Sequence, residues 1–245
     1  MPNDSELATH WFRSKKTGKP NFGDELGPEI LQRLGYRVRR APLGSADIIT
    51  VGSILGSALR RKPHGLVVWG SGLLRIPHDA RHRFRICALR GRITARTLGA
   101  DVPLGDPGLL VSRLWKRPPV RYRLGVVPHY VDRRTFAWAD RVIDVTRPVS
   151  EVIEEIGSCA AIATSSLHGL ITAQSWGIPA VRLPNDLVVG GDLKWIDHVS
   201  ALDRPVEQVQ EDLLDALTAG LSSADLPRSG TPEPEPEADD PYVLW

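Results

Sequence analysis

The stretch from residue 160 to residue 183 constrains the fold of this chain more than any other part of it. It reads AAIATSSLHGLITAQSWGIPAVRL. This pattern predicts an apolar strand, a turn with two serines, a short helix starting at His168, a glycine stop and a second apolar strand. Two strands joined by one helix form a β-α-β unit, in which the strands run parallel and the helix begins at the carboxyl end of the first strand. The chain is therefore predicted to be an α/β protein.

The beginning of that helix is predicted to be an anion site. Free backbone N–H groups and the helix dipole favour negative charge there. Ser165 and Ser166 add hydroxyl donors and are also expected to cap the helix. His168 can carry a proton near neutral pH. These residues suggest a phosphate or carboxylate site with a proton donor, although they also fit a simple helix cap and a histidine satisfied by a neighbouring carbonyl.

The rest of the chain repeats this alternation in two halves. Further strands are predicted at residues 46–51, 66–69, 84–89, 122–127 and 141–145. A loop that enters a helix is predicted within residues 21–34. Further helices are predicted after Arg90-Gly-Arg through Leu98, at 148–156 and at 207–221. A stiff Pro-Pro pair at 118–119 separates the halves. We therefore expect an N-terminal domain over residues 1–117, a C-terminal domain over 120–225 and a disordered Pro/Glu-rich tail over 226–245.

Composition and charge exclude several classes of protein. Of the 245 residues, 42% are hydrophobic and 24% are charged, which is ordinary for a globular enzyme. A net charge of +2, without basic runs interleaved with aromatic residues, argues against nucleic-acid binding. No apolar run reaches the length of a membrane span, and the first residues lack the apolar core of a signal peptide.

The cysteine and histidine content points to a reduced, metal-free protein. Two cysteines, Cys87 and Cys159, cannot form a disulfide framework or a cysteine-based zinc site. The histidines without an assigned role lack the spacing to acidic or cysteine partners that a metal site needs: His10, His64, His78, His82 and His198. We therefore expect a cytoplasmic protein with no transmembrane segment and no structural metal.

Seven short blocks carry a resemblance to a known family. They are NFGD at 21–24, VWGSGLL at 68–74, ALRGRIT at 88–94, GDPGLL at 105–110, VPHYVD at 127–132, SSLHGLI at 165–171 and KWID at 194–197. In this order and spacing, over residues 21–202, they make the chain resemble the polysaccharide pyruvyl transferase family. One departure is that many members have Arg directly before the Leu-His pair, where this chain has Ser166. Arg90, Arg92 and Arg182 are candidates to supply the missing positive charge.

The resemblance implies both a fold and an activity. The implied fold is two Rossmann-like domains facing across a cleft, as in the B-type glycosyltransferases. The implied enzyme is a transferase of exopolysaccharide biosynthesis. It moves the pyruvyl group of phosphoenolpyruvate onto a sugar of a cell-surface polysaccharide or glycan precursor, forming a ketal and releasing phosphate. Its partners would be phosphoenolpyruvate and a glycan acceptor, with lipid-linked glycans among the candidates, and it would need no cofactor.

Ketal formation assigns roles to particular residues. It needs a proton for the methylene carbon, a base for the sugar hydroxyl and a charge that holds the departing phosphate. We assign the general acid to His168, a second proton carrier to His129 and a base to Asp24. Expected substrate-binding residues are Asn21, Gly70, Gly72, Arg90, Ser165, Ser166 and Lys194.

Plainer roles fit several of the same residues. Asp24 also suits an N-cap, His129 a packed loop histidine, and Arg90 and Lys194 surface ion pairs. Two other functions remain open at this point: a glycosyltransferase that uses a nucleotide-sugar donor, and a carbohydrate-binding relative without activity. The sequence does not predict the acceptor sugar, the ketalised hydroxyls, the stereochemistry of the ketal or the oligomeric state.

Overall fold

The computed structural model describes residues 6–13 and 20–222 of the chain. It is an α/β fold with two parallel sheets, which confirms the predicted fold class and is consistent with a Rossmann-like architecture. The predicted tail at 226–245 lies outside the described residues. Within the described part, none of the helices combines the length and the apolar character needed to cross a bilayer.

The first sheet has five strands. They are β1 (Leu7–His10), β2 (Val38–Arg40), β3 (Ile48–Ile49), β4 (Val67–Trp69) and β5 (Arg85–Ala88), paired in parallel in the order β2-β1-β3-β4-β5. Its helical segments are α1 (Phe22–Arg33), a 3-10 turn at Leu43–Ser45, α2 (Leu55–Arg61) and α3 (Arg92–Leu98). The sequence pattern does not predict β1 and β2, because LATH and VRR are too short and too polar to stand out from a loop.

The second sheet has four strands. They are β6 (Tyr122–Val127), β7 (Arg141–Val142), β8 (Cys159–Thr164) and β9 (Ala180–Arg182), all parallel in the order β7-β6-β8-β9. A 3-10 helix at Pro107–Leu110 and α4 (Val111–Leu114) lead into this half, which also holds α5 (Val149–Gly157), α6 (Leu167–Ser175), α7 (Leu193–Val199) and α8 (Val206–Ser222). The predicted β-α-β unit around His168 is therefore confirmed as β8, α6 and β9.

One hydrophobic cluster contains residues of both halves of the chain. Helix α8 returns to the first sheet, where the indole Nε1 of Trp69 donates a hydrogen bond to the carbonyl of Leu213 over 2.8 Å. In the other direction, the backbone N–H of Phe22 at the start of α1 donates to the carbonyl of Val145 over 2.8 Å. Each of these hydrogen bonds therefore joins an element of one half of the chain to an element of the other half. The boundaries of the two predicted domains, and the way the two would face each other, stay predictions.

Candidate active site

The carboxyl ends of β6 and β8 meet at the beginning of α6. Val127, the last residue of β6, pairs with Thr164, the last residue of β8. The turn that holds Ser165 and Ser166 therefore lies beside the loop that follows β6. This register brings His129 and His168 to the same edge of the sheet, as expected for residues that follow parallel strands.

The hydroxyl of Ser165 ties the loop after β6 to the start of α6. It donates a hydrogen bond to Oδ2 of Asp132 over 2.7 Å and accepts one from the backbone N–H of His129 over 2.9 Å. Ser166 occupies the N-cap position of α6, but its side chain makes no capping hydrogen bond. The predicted side-chain cap by these serines is therefore wrong, because Ser165 bonds to the neighbouring loop instead.

The side chain of His168 is almost completely buried. Its Nε2 lies 3.8 Å from Oδ2 of Asp106, and neither atom has a hydrogen-bond partner among the described residues. Its Nδ1 lies toward Gly23 at the beginning of α1. Burial, together with the positive charges of Arg90 and Lys194, lowers the pKa of His168 to about 3. The imidazole is therefore neutral in the free protein.

His129 is also buried and neutral. Burial first, and then the charge of Lys194, lowers the pKa of His129 to about 3, although Asp132 opposes the change. Asp132 is a stable anion, since two hydrogen bonds from the guanidinium of Arg134 hold the pKa of its carboxyl well below the usual range. The ring of His129 is tilted against that of Tyr130 with their centroids 4.4 Å apart.

Asp24 is a buried carboxyl in the first turn of α1. The N-cap of that helix is Asn21, whose Oδ1 accepts a hydrogen bond from the N–H of Gly23 over 3.3 Å. The side-chain amide of Asn21 also donates to Oδ2 of Asp24 over 2.8 Å. The alternative role of Asp24 as an N-cap is therefore wrong. Burial raises the pKa of Asp24 to about 7, against the lowering effects of Asn21 and Lys194, so this carboxyl can exchange a proton near neutral pH.

Lys194 is a buried cation to which the described part of the chain offers no paired anion. Its side chain begins in the first turn of α7, is 6% exposed, and makes no hydrogen bond or ion pair with any residue in the described ranges. The alternative role as a surface ion pair is therefore wrong. Burial, followed by the repulsion of Arg90, lowers the pKa of Lys194 to about 8, and Asp24 acts in the opposite direction. Lys194 is close enough to Asp24, His129 and His168 to influence the ionisation of all three. These four residues are called the buried cluster below.

Arg90 lies beneath this cluster and is completely buried. Its guanidinium binds the carboxylate of Asp197 over 3.0 Å, and it also donates to the hydroxyl of Ser53 and the carbonyl of Leu73, each over 2.7 Å. The alternative role as a surface ion pair is wrong for Arg90 as well. Most of its donors are taken up by protein groups, while its charge still acts on His168 and Asp106.

The other two arginines considered for the anion site are each paired with a carboxylate, although the charge of Arg182 also acts on Lys194. Arg92 forms an exposed ion pair with Asp203, and Arg182 forms one with Asp192 over 2.6 Å. Among the residues that the structure describes, Lys194 has no paired anion, and it acts on His168 as a nearby positive charge.

Gly70 and Gly72 make room for groups of the protein itself. Gly70 has a positive φ of 81°, and a Cβ there would lie 2.1 Å from Cδ of Pro107. A Cβ at Gly72 would lie 2.3 Å from Cζ of Arg90. Both glycines therefore have a structural role, in which they position Arg90 and the 3-10 helix below the cluster.

A cavity of about 780 Å³ opens beside the cluster. Three predicted site residues, Asn21, Asp24 and His129, line it, together with the loop at residues 128–134. Aromatic side chains also contribute to its walls: Phe12, Tyr130 and Phe136. The cavity has the size and the mixed apolar and polar lining of a small-molecule site.

Sequence reasoning misses several polar residues that surround the buried cluster. Asp106 and Asp132 lie within the GDPGLL and VPHYVD blocks but receive no role from the sequence. His198 is another, and its Nε2 lies 2.8 Å from Oε1 of Gln174. The signal that could reveal Asp106 is its place directly before Pro107, since Asp is a common N-cap and Pro a common first residue of a helix. Among the residues that the structure describes, no three His, Cys, Asp or Glu side chains form a group that could hold a metal ion.

Comparisons with known proteins give two distant relatives. No protein-family model matches the chain, and no solved structure matches it. Over 171 residues, which are 61% of this chain and 58% of the relative, it is 32% identical to an uncharacterized protein of Acanthamoeba polyphaga mimivirus. Over 199 residues, which are 74% of this chain and 61% of the relative, it is 29% identical to the succinoglycan biosynthesis protein ExoV of Rhizobium meliloti (strain 1021). The chain spans about three fifths of the length of these curated relatives.

Proposed function

We propose that this chain is a transferase of exopolysaccharide biosynthesis that moves the pyruvyl group of phosphoenolpyruvate onto a sugar as a ketal. The observation that carries the proposal is the buried cluster of Lys194, His168 and Asp24, an unpaired cation beside two groups that can exchange protons. The similarity to a succinoglycan biosynthesis protein supports the polysaccharide side of the proposal. The resemblance of the seven sequence blocks to pyruvyl transferases supports the choice of reaction.

The anionic donor suits the charge of the cluster. Phosphoenolpyruvate carries a phosphate and a carboxylate, and Lys194 is a buried cation that no anion of the described protein neutralises. The first turn of α6 adds backbone N–H groups that have no acceptor within the helix. Lys194 thus offers the charge that Ser166 does not supply. Because an ammonium is a point charge, it would hold one phosphate or carboxylate oxygen rather than a bidentate pair.

Binding of this donor would prepare His168 to act as an acid. In the free protein its pKa is about 3 because of burial and two nearby cations. A bound anion offsets the effect of those cations and raises the pKa, so the imidazole can take up a proton and pass it on. His168 then protonates the methylene carbon of the donor, which becomes the methyl group of the ketal.

The sugar supplies two hydroxyl groups to the central carbon. After the methylene carbon is protonated, one hydroxyl oxygen attacks the central carbon, the C–O bond to phosphate breaks, and the second hydroxyl oxygen closes the ketal. Two hydroxyl protons are released. One replaces the proton that His168 gave to the methyl group, and the other leaves with the phosphate. Asp24, with a pKa of about 7, is placed to accept a proton from an attacking hydroxyl.

The acceptor sugar is assigned to the cavity of about 780 Å³. Its carboxyl, amide and imidazole groups (Asp24, Asn21 and His129) can bind sugar hydroxyls, and its aromatic rings can pack against the apolar faces of a sugar. The same cavity borders Asp24, so a hydroxyl bound there would lie near the proposed base.

The decisive experiment measures phosphate release from phosphoenolpyruvate with a panel of lipid-linked and nitrophenyl sugars. We expect release only when an accepted sugar is present. His168→Ala should lower turnover by about 100- to 10,000-fold, the usual contribution of a general acid, while binding of phosphoenolpyruvate persists. His78→Ala is the matched control, because His78 is exposed and should leave turnover unchanged.

A thermal-shift panel separates the competing functions. Phosphoenolpyruvate should raise the melting temperature, since a ligand that binds only the folded state stabilises it. Stabilisation by a nucleotide sugar alone would contradict the proposal and favour a glycosyltransferase. Stabilisation by neither donor, with retained sugar binding, would favour a carbohydrate-binding protein without activity.

A further inference from the structure

One face of α6 packs against the 3-10 helix at Pro107–Leu110. Residues 168, 171, 172 and 175 lie on this face, because positions three and four apart are neighbours on a helix. At its far end, the hydroxyl of Ser175 donates to the carbonyl of Leu109 and accepts from the N–H of Ser112, each over 2.7 Å. Ser175 therefore has both a donor and an acceptor partner.

The near end of the same contact is different. Nε2 of His168 and Oδ2 of Asp106 lie 3.8 Å apart, beyond the length of a hydrogen bond. Both atoms are buried, and neither has a hydrogen-bond partner among the described residues. Buried polar atoms without partners are rare in native proteins, and each requires an explanation. Here the two unpartnered atoms lie beside each other and are complementary. Nε2 of the imidazole can donate a hydrogen bond, and Oδ2 of the carboxylate can accept one.

The carboxylate of Asp106 is held in place by its other oxygen. Oδ1 accepts a hydrogen bond from the N–H of Gly108 over 2.9 Å and caps the 3-10 helix. Oδ2 takes no part in this cap and lies on the side of His168. On the opposite side of the imidazole, Nδ1 lies toward Gly23, near Asn21 and Asp24. The ring thus has Nε2 beside a buried carboxylate and Nδ1 on the side of Asn21 and Asp24, which are proposed to contact the substrate.

We infer that Asp106 is a positioning residue for His168, whose Nε2–H donates to Oδ2 of Asp106 once the donor is bound, so that Nδ1 carries the proton to and from the substrate. This inference rests on the proposed function, since it takes His168 as the acid. A movement of less than about 1 Å would bring the two atoms within hydrogen-bond distance. The carboxylate would also stabilise the imidazolium form that the proposed reaction requires.

The charges around the pair are compatible with this role. Arg90, Lys194, His198 and His129 act on His168, and Arg90 and Asp197 act on Asp106. Burial raises the pKa of Asp106 to about 6, against the hydrogen bond from Gly108 and the charge of Arg90. Asp106 is therefore still an anion above pH 7 and can accept the Nε2–H of His168.

The plain alternative is that Asp106 only caps the 3-10 helix. Asp106→Asn distinguishes the two roles. The amide oxygen of Asn can still accept from the N–H of Gly108, but the amide nitrogen then lies toward His168. Because that group only donates, Nε2 would have to be an acceptor, and the proton of the neutral ring would move to Nδ1. Asp106→Ala removes both the cap and the acceptor.

The test measures the tautomer of His168 in the full chain by ¹⁵N NMR of histidine-labelled protein. The signals of His168 are assigned from their loss in His168→Ala. Because the carboxylate lies 3.8 Å from Nε2 in the free protein and already favours a proton there, we expect the Nε2–H form in the wild type and the Nδ1–H form in Asp106→Asn. With phosphoenolpyruvate as substrate, kcat of Asp106→Asn should fall by about 100-fold or more, with little change in KM and with a melting temperature close to that of the wild type.

Asp47→Asn is the matched control. Asp47 is another buried carboxyl, and its Oδ2 accepts a hydrogen bond from the N–H of Ala8 in the first sheet. This variant should keep the tautomer of His168 and the wild-type turnover per folded molecule. An unchanged tautomer and an unchanged kcat in Asp106→Asn would overturn the inference. If the wild type does not turn over phosphoenolpyruvate but the tautomer of His168 still changes in Asp106→Asn, the pairing is supported and the proposed function alone is overturned.

Discussion

The backbone of Gly23 lies directly against the imidazole of His168. A Cβ at Gly23 would be 2.3 Å from Nδ1 and 3.0 Å from Cβ of that histidine. Gly23 belongs to the first turn of α1 and His168 to the first turn of α6. The contact therefore joins the starts of two helices that are far apart in the sequence. It holds the imidazole with Nδ1 on the side of Asn21 and Asp24, which are proposed to contact the substrate.

Gly23→Ala should displace His168 and lower turnover. Replacing glycine by alanine inside a helix normally stabilises a protein, by up to about 1 kcal/mol, but here the added methyl group collides with a buried ring. We expect a fall in kcat without a gain in stability, measured by phosphate release and by urea unfolding. Gly56→Ala in α2 is the control, since its Cβ would meet nothing closer than 4.0 Å. Wild-type turnover in Gly23→Ala would show that the position of the imidazole does not matter.

Lys194→Met should make the protein more stable and weaken donor binding. The lysine keeps a buried positive charge that forms no ion pair with a described residue, which opposes folding. Methionine fills a similar volume without the charge. We expect a higher melting temperature together with a clearly weaker affinity for phosphoenolpyruvate, measured by calorimetry. The comparison is Lys62→Met, which removes an exposed ion pair with Asp79. If Lys194→Met binds the donor as tightly as the wild type, Lys194 is not the phosphate contact.

The buried pair of Arg90 and Asp197 should be important for stability. Asp197→Ala leaves the guanidinium of Arg90 without its counterion and also removes the acceptor of two hydrogen bonds from Thr94. Breaking one partner of such a pair costs about 3–5 kcal/mol, measured by urea unfolding. Asp203→Ala breaks the exposed pair with Arg92 and should cost about 0–1 kcal/mol. Similar losses in the two variants would show that burial of the first pair has no energetic consequence.

Asp24→Asn should change how stability depends on pH. In the folded protein the pKa of Asp24 is about 7, whereas in the unfolded chain it is about 4. Between these values the unfolded chain loses this proton and the folded protein keeps it, so this group makes the wild type less stable as pH rises. Asn has no such titration. The variant should therefore gain stability relative to the wild type from pH 4 to pH 7, by up to about 4 kcal/mol.

The measurement for Asp24→Asn is chemical denaturation at several pH values. Asp101→Asn, which changes an exposed carboxylate, serves as the reference and should show a nearly constant difference from the wild type. A constant difference for Asp24→Asn as well would mean that folding does not raise the pKa of Asp24, which would contradict its assignment as a base that exchanges a proton near neutral pH.

Local patterns predicted the elements that carry the site, because a strand or helix is determined largely by its near neighbours in sequence. The apolar run before Thr164, the two serines and the glycine after Trp176 predicted β8, α6 and the turn to β9, and the structure confirms them. The short polar strands β1 and β2 were beyond this reasoning, since their place in the sheet depends on strands that are distant in the sequence.

The sequence by itself determined the α/β class and placed His129 and His168 at the carboxyl ends of parallel strands. Only the tertiary structure decided which charges are paired. It gives Arg90 the carboxylate of Asp197 as its partner, leaves Lys194 without an ion pair in the described part of the chain, and places Asp106 beside His168. Burial and electrostatic interactions depend on segments that meet in space but are far apart in the chain, so the ionisation of each group follows from packing and not from local sequence.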